Sequence, residues 1–114
     1  MADQLVDLND DVLVADAVRR LVERFAPLRI ILFGSRARGT AERDSDIDLL
    51  VVLPELHDKY MATVEMLREL RGLGIPVDVV PTDPEEVKRR GHVVGSVLRE
   101  AIRHGKVVYE RAGG

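Results

Sequence analysis

Cysteine is absent from these 114 residues, and so is tryptophan. Without a thiol there is no disulfide, no zinc–thiolate centre and no cysteine nucleophile. That absence fits a reducing compartment. Aromatic residues are only 4% of the chain, so its core has to come from Val, Leu, Ile and Ala. Neither charge dominates: 17 Lys and Arg stand against 20 Asp and Glu, a net charge of -3. Nothing there pulls the whole chain toward nucleic acid or an acidic membrane, so direct nucleic-acid binding is not expected. No apolar run approaches the roughly 20 residues of a membrane span. The opening MADQLVDLNDD is acidic and has no apolar stretch, so no signal peptide is expected. The chain reads as cytoplasmic and, with no repeat or linker, as one domain over 1–114.

What is present is a regular alternation of helix and strand signals. Residues 1–9 read as a loose lead-in. Asp10 and Asp11 suit a helix start, and Val14, Val18, Leu21 and Phe25 follow at helical spacing up to Pro27. Arg29 to Phe33 (RIILF) and Ile47 to Leu53 (IDLLVVL) read as strands. Tyr60, Val64, Leu67 and Leu70 mark a second helix, with Tyr60 and the Met61/Met66 pair expected in its packing. Ile75 to Val80 (IPVDVV) is a third strand, with Pro76 opposing full pairing at its start. Asp83-Pro84-Glu85-Glu86 has the form of a helix start, and Gly91 of a helix stop. Val94, Val97, Leu98, Ala101 and Ile102 give a last helix capped by Gly105, and Lys106 to Tyr109 a final edge strand. The expected fold is α/β (α+β): a small mixed sheet flanked by helices.

One stretch carries the chemistry: FGSRARGTAERDSDIDLLVV, from Phe33 to Val52. Gly34 and Gly39 have the spacing of a Walker A loop, but Thr40 stands where its lysine belongs, so that loop is excluded. Arg36 breaks a G-x-G-x-x-G fingerprint. Two readings of Gly34-Ser35 remain. It is a tight turn after a strand, or a phosphate cradle in which Gly34 permits close approach and Ser35 offers a hydroxyl and an N–H.

Twelve residues after Gly34 comes Asp46-Ile47-Asp48 at the mouth of an apolar strand. Two carboxylates on one strand face, about 6–7 Å apart, repel by roughly 2–3 kcal/mol. Leu50 and Val52 continue that face, so a solvated surface explains the acids poorly. A divalent cation removes the difficulty, because Mg²⁺ is usually held by one or two carboxylates plus substrate phosphates. Asp78, the lone charge within the third strand, is the candidate third acid of a two-metal site. The alternative, a polar strand entry with Asp78 paired to an arginine, becomes a minor one once all these features occur together. The short connection from Gly34 to Asp46 fits an antiparallel pair or a minimal parallel crossover.

At these residues the sequence resembles the nucleotidyltransferase superfamily that includes DNA polymerase beta, whose pattern is Gly-Ser, then Asp-x-Asp, then a third acid on a later strand. GSRARGTAERDSDIDLLV is more specifically similar to the minimal nucleotidyltransferases, and VLREAIRHGKVVYE resembles their tails. The resemblance spans about Val14 to Glu110. It implies Mg²⁺-dependent transfer of AMP from ATP to an acceptor, with two ions at Asp46, Asp48 and Asp78. It implies that Gly34 and Ser35 hold the β and γ phosphates and that Asp78 draws the acceptor's proton. Arg36 and Arg38 are candidate phosphate ligands, with solvated surface as the equal alternative. Such domains often serve as antitoxins beside a HEPN-domain ribonuclease toxin, modifying a tyrosine on it. A chain this small leaves its acceptor to be presented by a partner. A binding-only antitoxin and a nucleotide-sensing module are the alternatives. A homo-oligomer is compatible with all three. His57, His92 and His104 read as structural, and Lys88-Arg89-Arg90 as a solvated basic face or a partner contact.

Overall fold

The computed structural model describes residues 3–5, 12–39, 46–93 and 95–112. Ten elements follow one another: β1 (Asp3–Leu5), α1 (Val12–Phe25), β2 (Arg29–Phe33), α2 (Ser35–Arg38), β3 (Ile47–Val52), α3 (Lys59–Glu69), β4 (Val77–Thr82), α4 (Pro84–Arg90), α5 (Val97–His104) and β5 (Lys106–Arg111). The strands form one sheet in the order β1-β5-β2-β3-β4. Only β3 and β4 run parallel; the other neighbours are antiparallel. The mixed sheet with flanking helices is the architecture expected from the sequence.

The sheet has two covered faces. Ile30, Leu32, Ile47, Leu49, Val51 and Val79 pack with Val14, Val18 and Leu21 of α1 and Met66 of α3. On the other face Ile31 and Leu50 pack with Leu98 and Ala101 of α5. Alternation along a strand puts Asp48 and Asp78 on this second face, at the end where α5 leaves room.

Helix ends follow local chemistry. Pro27 stops α1 as expected, after Ala26 turns into the left-handed region at φ 48. Asp58 caps α3 by accepting from Met61 N–H, and Ser96 caps α5 by accepting from Arg99 N–H. Asp83 caps α4 with Pro84 at its first turn. The expected caps Asp10 and Asp11, and the expected helical Val94, lie outside the described residues.

Four expectations are corrected. The lead-in contains β1, which pairs with β5. Lys106 to Tyr109 is therefore no edge strand: β5 lies between β1 and β2. The third strand starts at Val77, because Pro76 has no N–H to pair, and it runs on to Thr82. On α3 the core side is Met66, with Leu70 just beyond it; Tyr60 is 75% exposed, Leu67 is 41% exposed, and Met61 is exposed too. Helical periodicity finds an apolar stripe, but two overlapping stripes were available on this helix.

Candidate active site

Phe33 and Asp48 face each other across the antiparallel β2–β3 ladder, and Asp48 faces Asp78 across the parallel β3–β4 ladder. Because β2 and β3 are antiparallel, the turn after β2 and the acids before and on β3 share one end of the sheet. β3 begins at Ile47, so Asp46 sits one residue ahead of the strand and is exposed. Ile47 N–H donates to Pro76 O at 3.1 Å, which ties this entry to the start of β4. The expected meeting of Asp78 with Asp48 is thus a register fact. Asp46 lies at the same end but outside the ladder.

Gly34 is needed at the turn for two reasons. Its φ is +77, and a Cβ there would stand 2.3 Å from Asp48 Oδ2. The backbone and the carboxylate are in contact, which only a residue without a side chain allows. Ser35 opens α2, and the N–H groups of Ala37 and Arg38 return to Gly34 O, each at 3.2 Å. A short helix, α2, therefore follows Gly34 directly. Arg36 and Arg38 project from it.

Burial pushes the Asp48 carboxyl above its ordinary value; the charges of Asp78 and Asp46 add to this, and Arg38 opposes it. Arg38 also reaches α5, with Nη1 3.6 Å from Glu100 Oε2. Sequence reasoning missed α5 as a wall of the site. A cavity of about 340 Å³ lies between Phe33 and α5, bordered by Ser96, Arg99, Glu100 and His104. No local signal marks these residues, because their placement depends on how α5 docks on the sheet. His104 holds the helix-end position expected of it. His57 is exposed beside Glu55.

Among the described residues, no three acids or histidines converge to form a ready metal cage. The donor set still fits a hard divalent ion. Asp48 and Asp78 are adjacent oxygen donors, Asp46 is close enough to raise the Asp48 pKa, and a cation would relieve that repulsion. Mg²⁺ sites of this kind take their remaining ligands from substrate phosphates and water.

The nucleotidyltransferase domain family matches residues 14–104. The chain is a member of the nucleotidyltransferase family. This nucleotidyltransferase is 36% identical, over 86 residues, to the protein adenylyltransferase MntA of Thermococcus cleftensis; the match covers 74% of this chain and 81% of that one. It is 29% identical over 89 residues to the putative protein adenylyltransferase MJ1305 of Methanocaldococcus jannaschii, spanning 59% of that longer relative and 74% of itself. Among solved structures it resembles a putative nucleotidyltransferase from Sulfolobus solfataricus, with TM-score 0.62 and 26% identity over 90% of this chain and 81% of the other. It also resembles a chain of a toxin–antitoxin structure with AMP-PNP, with TM-score 0.59 and 26% identity over 83% of this chain and 72% of that one. No helix among the described residues is long and apolar enough to cross a membrane.

Proposed function

We propose that this nucleotidyltransferase moves AMP from ATP to a protein hydroxyl, as the antitoxin of a toxin–antitoxin pair. The observation that carries the reading is the Asp48–Asp78 pair beside Gly34, in a chain whose relatives include protein adenylyltransferases. A toxin–antitoxin structure among its neighbours supports a toxin as partner. The finer assignment is a tyrosine on a HEPN-domain ribonuclease toxin, which rests on the resemblance of the Gly34–Val51 stretch to minimal nucleotidyltransferases.

In this reading Asp46, Asp48 and Asp78 would hold two Mg²⁺ ions, which would supply charge neutralisation to the phosphates. Gly34 lets the backbone approach the β and γ phosphates, and Ser35 hydrogen-bonds them. Arg38 answers their charge from α2, and Arg36 is the second candidate cation on that helix. The exposed Asp78 carboxylate accepts the proton of the incoming hydroxyl. The acceptor oxygen then bonds to the α phosphorus, the bond to the bridging oxygen breaks, and pyrophosphate leaves. Most of the catalysis is positioning and electrostatics, since this chemistry asks little else of the protein. The exposure of Asp78 leaves the acceptor side open to a hydroxyl presented by another protein.

The test is label transfer from α-labelled ATP, with Mg²⁺, into native host extract. Wild type and the Asp46→Asn/Asp48→Asn variant are compared, with Asp78→Asn alongside. Label on a protein band with wild type alone is the expected result, and peptide mass analysis of that band identifies the modified residue. Transfer by the double variant at the wild-type rate would sink the site assignment. Absence of transfer, with tight binding of a toxin, would make the chain a binding-only antitoxin. ATP binding without transfer would make it a nucleotide-sensing module.

A further inference from the structure

A second cavity, of about 280 Å³, opens between α4, α5 and the sheet. Its floor is Ile31, Leu50 and Val52, and Val87 and Ile102 form its walls. Leu50 and Val52 lie two and four residues along β3 from Asp48, about 7 and 13 Å at strand rise, so this groove begins beyond the acidic site on the same face of the sheet. The walls leave apolar surface uncovered. Ile102 is 42% exposed, and its Cδ1 would be 3.0 Å from a Cβ on Gly91, at the joint between α4 and α5.

The rim is positively biased. Arg29 and Glu110 cancel, with Nη2 2.9 Å from Oε2. Lys88 also lines the groove and makes no ion pair among the described residues. Arg89 and Arg90 follow it on exposed positions of the same helix end. Lys88, the first residue of the basic run noted in the sequence, thus borders an apolar trough.

We propose that this groove docks an acidic, apolar segment of a partner protein. Apolar side chains of that segment pack against Val87 and Ile102 above Val52, and its carboxylates meet Lys88. A protein segment fits better than RNA. The floor is aliphatic and offers no ring on which a base would stack, and phosphates gain nothing from it. Seated toward the Val52 end of the strand, such a segment anchors a partner beside the acidic site.

Fluorescence anisotropy on the full chain tests this with three labelled probes. They are an amphipathic peptide with leucines on one helical face and glutamates on the other, the same peptide with lysines for glutamates, and a short single-stranded RNA. The acidic peptide is expected to bind about tenfold or more tightly than its lysine counterpart, and less tightly as salt rises. Ile102→Asp and Lys88→Glu should each weaken it by about tenfold. Both positions are exposed, and circular dichroism confirms that the variants are folded. Equal binding of the two peptides, wild-type affinity in both variants, no peptide binding, or preferential binding of the RNA would each overturn the proposal.

Discussion

Gly34 lies directly against Asp48: a Cβ on residue 34 would stand 2.3 Å from Asp48 Oδ2. Gly34→Ala therefore adds a clash at the acid to the strain of a φ of +77. The expected outcome is a loss of about 1–3 kcal/mol of stability and a fall of at least about tenfold in transfer. Gly39→Ala is the matched control. Its φ is +75, but among the described residues nothing beyond its chain neighbours lies within 4 Å of the added atom. It should lose about 1 kcal/mol through strain and keep its activity. Urea melts and label transfer, measured on both variants, separate the two effects.

Asp48 gives a pH prediction. Its carboxyl is raised by burial, then by Asp78 and Asp46, so the folded state holds its proton more firmly than the unfolded chain does. Ionised Asp48 thus costs stability in full above its folded pKa. The cost fades as pH falls from there toward the ordinary carboxylate value. Asp48→Asn should be more stable than wild type at neutral pH, by on the order of 1 kcal/mol once solvent screening is allowed for. Its advantage should vanish below the ordinary carboxylate range. Thermal melts of both proteins across the acidic range, without divalent ions, check this. An advantage that stays constant with pH would place its origin elsewhere.

Asp83 should behave in the opposite sense. Oδ1 accepts from Glu86 N–H at 2.9 Å and Oδ2 from Leu56 N–H at 3.0 Å, so one carboxylate caps α4 and pins the loop before α3. The Glu86 amide leads the causes that hold its pKa below the usual value. Its contribution is complete above the ordinary carboxylate pKa and is lost as pH falls through the depressed one. Asp83→Ala should cost about 1–2 kcal/mol at neutral pH and much less in strong acid. Asp83→Asn should recover part of the loss. Denaturant melts at the two pH values decide the point.

Much of the fold was legible because it is written locally. Pro27, Asp83-Pro84 and Gly105 mark helix ends through backbone chemistry that does not depend on distant contacts. Gly34-Ser35, Asp46, Asp48 and Asp78 stand out in the same way. Carboxylates at the mouth of an apolar strand are costly, so their presence alone raises the question of a ligand. The spacing also restricted how the first two long strands could pair.

What remained undecided depended on contacts between residues far apart. A three-residue strand such as β1 has almost no signal of its own and exists through β5, more than a hundred residues later. That pairing in turn moves β5 inside the sheet. On α3, Tyr60 and Met66 are equally apolar in pattern, and only the position of the helix over the sheet decided which one was buried. The same holds at the site. Sequence alone determined which acids and which glycine are this protein's candidates for the chemistry. Tertiary structure decided that Asp48 and Asp78 share a register, that Gly34 touches Asp48, and that α5 forms the neighbouring wall, because strand order and helix docking are set by burial summed over the whole core.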